Sequence, residues 1–274
     1  MTFMLAILSV AVMLSSDSSE YNPELSYIAM DLSNAVYSES SVTASLTEHG
    51  FSTITGYNYN MDFHYKRPTF VIAEKSSDDG KIIAVIIRGT DTVSNWLTNI
   101  SVGTRIVHEG FLDSRDYILS ELLENYHVAD ATLFITGYSQ GAAIANLLAA
   151  ELTDKIGKER VFAYTFATPN VSRCIETDFS DYTNIFNICN TLDFVTAFPT
   201  HVTGNEWHKY GQTVYFRKEM YSSFFLTHHK NTYLLVLSEL RELCEYGNLG
   251  DITDENTSHT VRKWDRRPRR QKWK

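Results

Sequence analysis

A chain of 274 residues, 43% apolar and 21% charged, is long enough to bury a full core, which excludes global disorder. With 13 Gly, 5 Pro and no apolar run of the eighteen or so residues that span a bilayer, collagenous, low-complexity and membrane-spanning classes are excluded too. The net charge of -9 is unevenly placed: residues 261–274 carry +7, so the rest of the chain is an acidic body unsuited to nucleic acid, and only the tail suits an anionic surface.

Residues 1–18 open with an apolar stretch from Phe3 to Leu14 followed by small polar residues, the pattern of a secretory signal peptide or of an N-terminal helix packed on the domain. Secretion is the expected location and the cytoplasm the alternative; sequons at Asn99, Asn170 and Asn256 are usable after secretion. Asn22-Pro23-Glu24 is a helix cap with proline at the first helical position, and Leu25, Ile28, Ala29, Leu32, Ala35 and Val36 recur at helical spacing. Strand-like runs at 69–73 and 81–87 flank Ser-Ser-Asp-Asp-Gly at 76–80, a hairpin signal. The second run is apolar on both faces and belongs in the middle of a covered sheet. A helix is expected over 111–126, a strand over 132–136, a helix over 142–156 closed by Gly157, and strands over 161–166 and 183–189. This alternation predicts an α/β fold, a mostly parallel central sheet with helices on both faces, as one domain over 19–250 followed by a basic, disordered tail over 251–274. Cys174, Cys189 and Cys244 lack both metal-site spacing and the density of a disulfide scaffold, and the histidines lack paired spacing, so no metal or other cofactor is expected.

At the junction of the 132–136 strand with the 142–156 helix stands Gly137-Tyr138-Ser139-Gln140-Gly141, a GxSxG pentapeptide in the strand, turn, helix setting of a nucleophile elbow. The two glycines let the strand reverse into a close-packed helix while the Ser139 hydroxyl stands above the sheet, where the helix start favours developing negative charge. A serine hydroxyl needs a histidine base, and that base needs a carboxylate to fix its tautomer. In the hydrolase chain order both follow the serine, which sets aside His49, His64, His108 and His127 and leaves His201, His208, His228, His229 and His259. Asp193, just beyond the 183–189 strand, is the best acid, because sites in open α/β sheets lie at the C-terminal ends of strands.

These segments together resemble the class 3 (fungal-type) lipases of the α/β-hydrolase fold over roughly residues 84–234. Ile86-Ile87-Arg88-Gly89-Thr90-Asp91 with Asn95-Trp96-Leu97 resembles the family's oxyanion loop, and Val107-His108-Glu109-Gly110-Phe111 its His-x-Gly-Phe segment. Phe166-Ala167-Thr168-Pro169 resembles its turn after the next strand, and Asp193-Phe194-Val195 with Pro199 its acid segment. The elbow departs from the usual family pattern at Tyr138 and Gln140, where His and Leu are commoner. The resemblance implies a serine carboxylic-ester hydrolase, a triacylglycerol lipase-like enzyme acting on lipid esters with no cofactor. It implies Ser139 and Asp193 in a triad, and oxyanion donors on Thr90 and Gln140. His228, a few residues before Tyr233, is the implied base, with His229 as the alternative, and His208 looks like a structural His-x-Gly histidine offset by one residue. The elbow also resembles that of cutinases, in which His201 or His208 would be the base. The same motifs are compatible with a short-chain esterase, a phospholipase A1 or a non-catalytic lipid-binding relative. Residues 97–107 are short for a helical lid, which leaves an open site or cover from 218–225, and the Trp-bearing basic tail is suited to anionic lipid.

Overall fold

The computed structural model describes residues 10–60, 67–78, 80–90, 104–172, 179–199, 207–219 and 228–245. Asp91, Trp96, Cys174, His201, His259, the sequons at Asn99 and Asn256, most of the 97–107 and 218–225 segments and the whole tail lie outside the described residues.

Seven strands lie side by side in chain order: β1 (Thr53–Tyr57), β2 (Phe70–Ser77), β3 (Gly80–Ile87), β4 (Ala131–Tyr138), β5 (Val161–Phe166), β6 (Ile185–Asn190) and β7 (Gln212–Phe216). The first three form an antiparallel meander, and Ser77 pairs with Gly80 across the hairpin expected there. From β3 to β7 every pairing is parallel. Because the chain advances one strand at a time in one direction, right-handed crossovers put all intervening helices on the same face. On that face lie α4 (Thr104–Asn125) and α5 (Gln140–Ile156), while α2 (Pro23–Ala35), before the sheet, and α6 (Lys230–Glu245), after it, cover the other face against each other.

The period of two along each strand divides the core between these layers. In β3, Ile82, Ala84 and Ile86 face α2, and Ile83, Val85 and Ile87 face α4 and α5, which is why the run reads as continuously apolar. Each such aliphatic side chain contributes about 1.5–3 kcal/mol by leaving water. Helix α2 begins as its sequence dictates: Asn22 Oδ1 accepts from the Glu24 and Leu25 amides, with Pro23 at the first position. Helix α5 ends on Gly157 at φ 89°.

Three differences from the sequence expectations have local causes. Helix α4 starts at Thr104 rather than at 111 and carries Gly110 inside it, since the buried Gly110 packs where its weak helix propensity, about 1 kcal/mol below alanine, reads as a break. Helix α3 (Glu39–Glu48), capped by Ser38, and strands β1 and β7 have no counterpart among those expectations: α3 buries only Val42 and Leu46, β1 is a short edge strand interrupted by Gly56, and β7 is an edge strand that buries only Phe216. Asn170 is only 7% exposed, and its Nδ2 donates to the Pro199 carbonyl at 3.0 Å, so this sequon offers no accessible acceptor for a glycan. Near the N-terminus, the short helix α1 (Val10–Met13) buries Val10 and Met13, with Leu14, in the core on the α2 side.

Candidate active site

Strand β4 runs to Tyr138, Ser139 takes φ 57° and ψ −119°, and α5 starts at the next residue. A positive φ on a residue other than glycine is strained, and here packing on both sides enforces it. A Cβ on Gly141 would collide with the Ile87 carbonyl and the Arg88 and Gly89 backbone. One on Gly89 would lie 2.5 Å from the Tyr138 carbonyl. The end of β3 and the elbow therefore interlock backbone to backbone, which brings Thr90 to the serine turn. The Ser139 amide donates to the Phe166 carbonyl at 2.9 Å, so the turn after β5, with Ala167 at φ 52°, braces the elbow from the other side.

Asp193 follows β6 and caps a short 3₁₀ turn, Phe194–Ala197, its Oδ1 accepting from the Val195 amide at 3.1 Å. Its Oδ2 accepts from His228 Nδ1 at 2.7 Å and from the Tyr233 hydroxyl at 2.8 Å. With Nδ1 donating to the carboxylate, Nε2 is the lone-pair nitrogen, and it accepts from Ser139 Oγ at 2.8 Å. Ser139, His228 and Asp193 are 3%, 4% and 2% exposed, so the chain of hydrogen bonds runs in a low-dielectric interior. Tyr138 and Tyr233 wall it: the Tyr138 ring lies 5.1 Å from the His228 ring, and Tyr233 packs edge-on against Tyr138. Burial, reinforced by the negative charge of Asp193, holds both phenols well above the usual tyrosine pKa, so both stay neutral at any working pH, and the Tyr233 hydroxyl donates to Asp193.

Of the other residues expected here, the Thr90 hydroxyl is buried and has no hydrogen-bond partner among the described residues. Gln140 is the first residue of α5, where backbone N–H groups have no partner within the helix. Both positions can offer donors to an oxyanion beside Ser139. The hydrogen bonds to Ser139 and Asp193 belong to His228, whereas His229 Nδ1 accepts from the Asn231 amide at the start of α6. Burial first, then the charges of Lys230 and His228, push the His229 pKa down. His208, which with His201 is a choice of base for a cutinase-like site, bridges Ser172 through its backbone.

Sequence reasoning missed Lys209 beside it. The Lys209 ammonium donates to the Thr168 carbonyl at 2.9 Å, to Asn170 Oδ1 at 3.2 Å and to the Thr196 carbonyl at 2.7 Å. Its signal was the spacing Lys209-x-Gly211, the interval of the His-x-Gly pattern with lysine in the first place. Cys189 is a buried free thiol whose pKa burial pushes up to about 11. Among the described residues no three His, Cys, Asp or Glu side chains gather as an ion site.

Residues 84–203 match the family model for Lipase (class 3). No curated protein matches the chain in sequence. Among solved structures, the triacylglyceride lipase of Rhizomucor miehei is 21% identical, with a TM-score of 0.55 over 71% of this chain and 80% of that one. The M37 lipase is 15% identical, with a TM-score of 0.54 over 82% of this chain and 94% of that one. A lipase from Rhizopus microsporus var. chinensis is 16% identical, with a TM-score of 0.52 over 80% and 84% of the two chains. At such identities the likeness speaks to the fold alone, which is that of the α/β-hydrolases, and the family model speaks for residues 84–203. Over residues 84–203 the chain is thus similar to the class 3 lipases, on an α/β-hydrolase fold that sets Ser139, His228 and Asp193 in one hydrogen-bonded line.

Proposed function

We propose that the chain cleaves carboxylic esters of lipids, acylglycerols foremost, through an acyl-enzyme on Ser139. The observation that carries this reading is the continuous hydrogen-bonded line from Ser139 Oγ through His228 to Asp193. In this reading His228 Nε2 takes the serine proton as Oγ attacks the ester carbonyl, and Asp193 steadies the imidazolium. The oxyanion that forms accepts from the Gln140 and Thr90 amides and the Thr90 hydroxyl, each such donor being worth about 3–4 kcal/mol to the transition state. His228 then protonates the leaving alcohol, and a water activated by the same nitrogen frees the acid and restores Ser139. An uncharged ester suits the acidic body, and the Trp-bearing basic tail suits adherence to an anionic lipid surface, at about 1 kcal/mol per basic residue.

The test is a series of p-nitrophenyl esters of increasing chain length, offered to the wild type and to Ser139→Ala. Wild type should hydrolyse them, with a preference for long chains in emulsion, and Ser139→Ala should lose at least about 10⁴-fold in kcat. Preference for short soluble esters would move the reading to an esterase. Equal inactivity of the two proteins on every ester, with lipid binding intact, would leave a non-catalytic lipid binder.

A further inference from the structure

We infer that Lys209 is a positioning residue of the triad, a charged staple that fixes the distance between the nucleophile turn and the acid turn and so holds His228 in line between them. The inference rests on the reading of Ser139, His228 and Asp193 as the reacting line. It starts from the donor count: an ammonium has three protons, a neutral amine two, and Lys209 Nζ meets three acceptors at 2.7–3.2 Å. The site is thus built for the charged form.

The acceptors belong to two turns that matter. Thr168 and Asn170 sit in the turn after β5, whose Phe166 carbonyl receives the Ser139 amide. The Thr196 carbonyl lies in the 3₁₀ turn that Asp193 caps, and both the Thr196 amide and hydroxyl return to the Asp193 carbonyl. One side chain therefore ties the support of the nucleophile to the support of the acid. The Lys209 backbone is itself anchored, since His208 beside it pairs with Val171 and Ser172.

The charge has a second effect. Among the described residues, the ionisable groups that face the ammonium are Cys189 on β6 and Asp193. Because burial keeps Cys189 a neutral thiol at neutral pH, Asp193 is the anion that offsets the cost of desolvating Lys209. A cation on this side favours the Asp193 carboxylate and opposes a second positive charge on its far side, so the charge of Lys209 bears on the line apart from its hydrogen bonds.

The test compares wild type, Lys209→Met and Lys209→Arg. The concentration of competent enzyme is set by titration with a fluorophosphonate, so that a misfolded fraction does not count as slow turnover. In Lys209→Met, kcat should fall about tenfold with KM within about twofold of wild type, and the acid limb of kcat/KM should move to higher pH. Lys209→Arg, which keeps the charge, should leave the acid limb near its wild-type position and restore part of kcat. A readout free of turnover is the downfield proton resonance of the His228–Asp193 hydrogen bond, which should shift or broaden in Lys209→Met. If that variant merely melts earlier while kcat, the acid limb and the resonance stay as in wild type, Lys209 is structural and the inference is overturned. Should wild type and Ser139→Ala prove equally inactive, the hydrolase reading fails by itself, and the resonance alone still decides the role of Lys209.

Discussion

Asp193 accepts from three donors, the Val195 amide, His228 and the Tyr233 hydroxyl, and each supports its carboxylate in a place almost without water. Hydrogen bonds to a charged group of this kind are worth about 1.5–3 kcal/mol, more than a neutral pair. Tyr233 also accepts from the Asn190 amide at 3.1 Å, so its hydroxyl joins the end of β6 to the acid. Tyr233→Phe keeps the ring packing against Phe216 and Tyr138 but takes one of three donors from Asp193 and the hydroxyl acceptor from the Asn190 amide. The expected result is a kcat about tenfold lower on an esterase assay and a loss of about 1–3 kcal/mol in urea denaturation. Unchanged turnover would mean that two donors suffice for Asp193. At this scale Ser139 and Asp193 were legible because a strand end announces each of them. His228 and His229 were not separable without the resemblance, since neighbouring residues at a helix start share every local signal and only the direction of the ring decides. Lys209 was overlooked because a lysine's partners lie in turns distant in sequence, and its spacing to Gly211, taken for an offset His-x-Gly segment centred on His208, does not name them.

Helix α5 meets the end of β3 at Gly141, and this contact explains why the elbow and the Arg88-Gly89-Thr90 loop come as a pair. The atoms nearest a Cβ at Gly141 are all backbone, the Ile87 carbonyl, the Arg88 carbonyl carbon and the Gly89 nitrogen, so no flexible side chain can yield. Gly141→Ala should therefore push the helix start off the sheet. It should cost about 3 kcal/mol of stability, at the upper end of overpacking changes, and a larger share of activity than of stability, because Gln140 and Thr90 shift together. Thermal denaturation and kcat measured on the same preparation check this; a variant as active and stable as wild type would show that the loop adjusts freely. The elements flanking this contact were readable for the same reason that they are rigid. β3 and β4 are buried on both faces, and α5 carries a dense apolar pattern closed by a glycine. Helix α3 and strand β1 escaped notice because they lie at the rim, where two buried residues suffice for a helix and pairing with β2 alone suffices for a strand. The early start of α4 is the converse case: tertiary burial kept a helix going through Gly110, where local propensity said stop.

Across the whole molecule the two faces of the sheet differ in chemistry. The face under α4 and α5 is largely aliphatic, whereas the face under α2 and α6 is aromatic, with Tyr21, Tyr164 and Phe186 in mutual contact at one end and Tyr138, Tyr233 and Phe216 at the other. Burial raises the pKa of Tyr138, Tyr164 and Tyr233 above the ordinary value near 10. Between that value and the raised one, the unfolded chain gives up a proton that the folded chain keeps, so folding stability is fully present below about pH 10 and is lost as pH rises above it. Cys189, raised to about 11, adds to the loss in the same sense and from a lower starting point. Lys209 opposes it, because its pKa is lowered by burial and its cost shrinks as the unfolded chain also sheds the proton. Several buried tyrosines outweigh one lysine, so the urea midpoint should hold level from pH 7 to about 9 and fall steeply above 10. Phenolate absorbance should divide accordingly: the signal of Tyr138, Tyr164 and Tyr233 should appear only together with the loss of the circular dichroism signal. A full phenolate signal while the secondary structure persists would show that the aromatic face opens to hydroxide without unfolding, and that the wall behind His228 is softer than its packing implies.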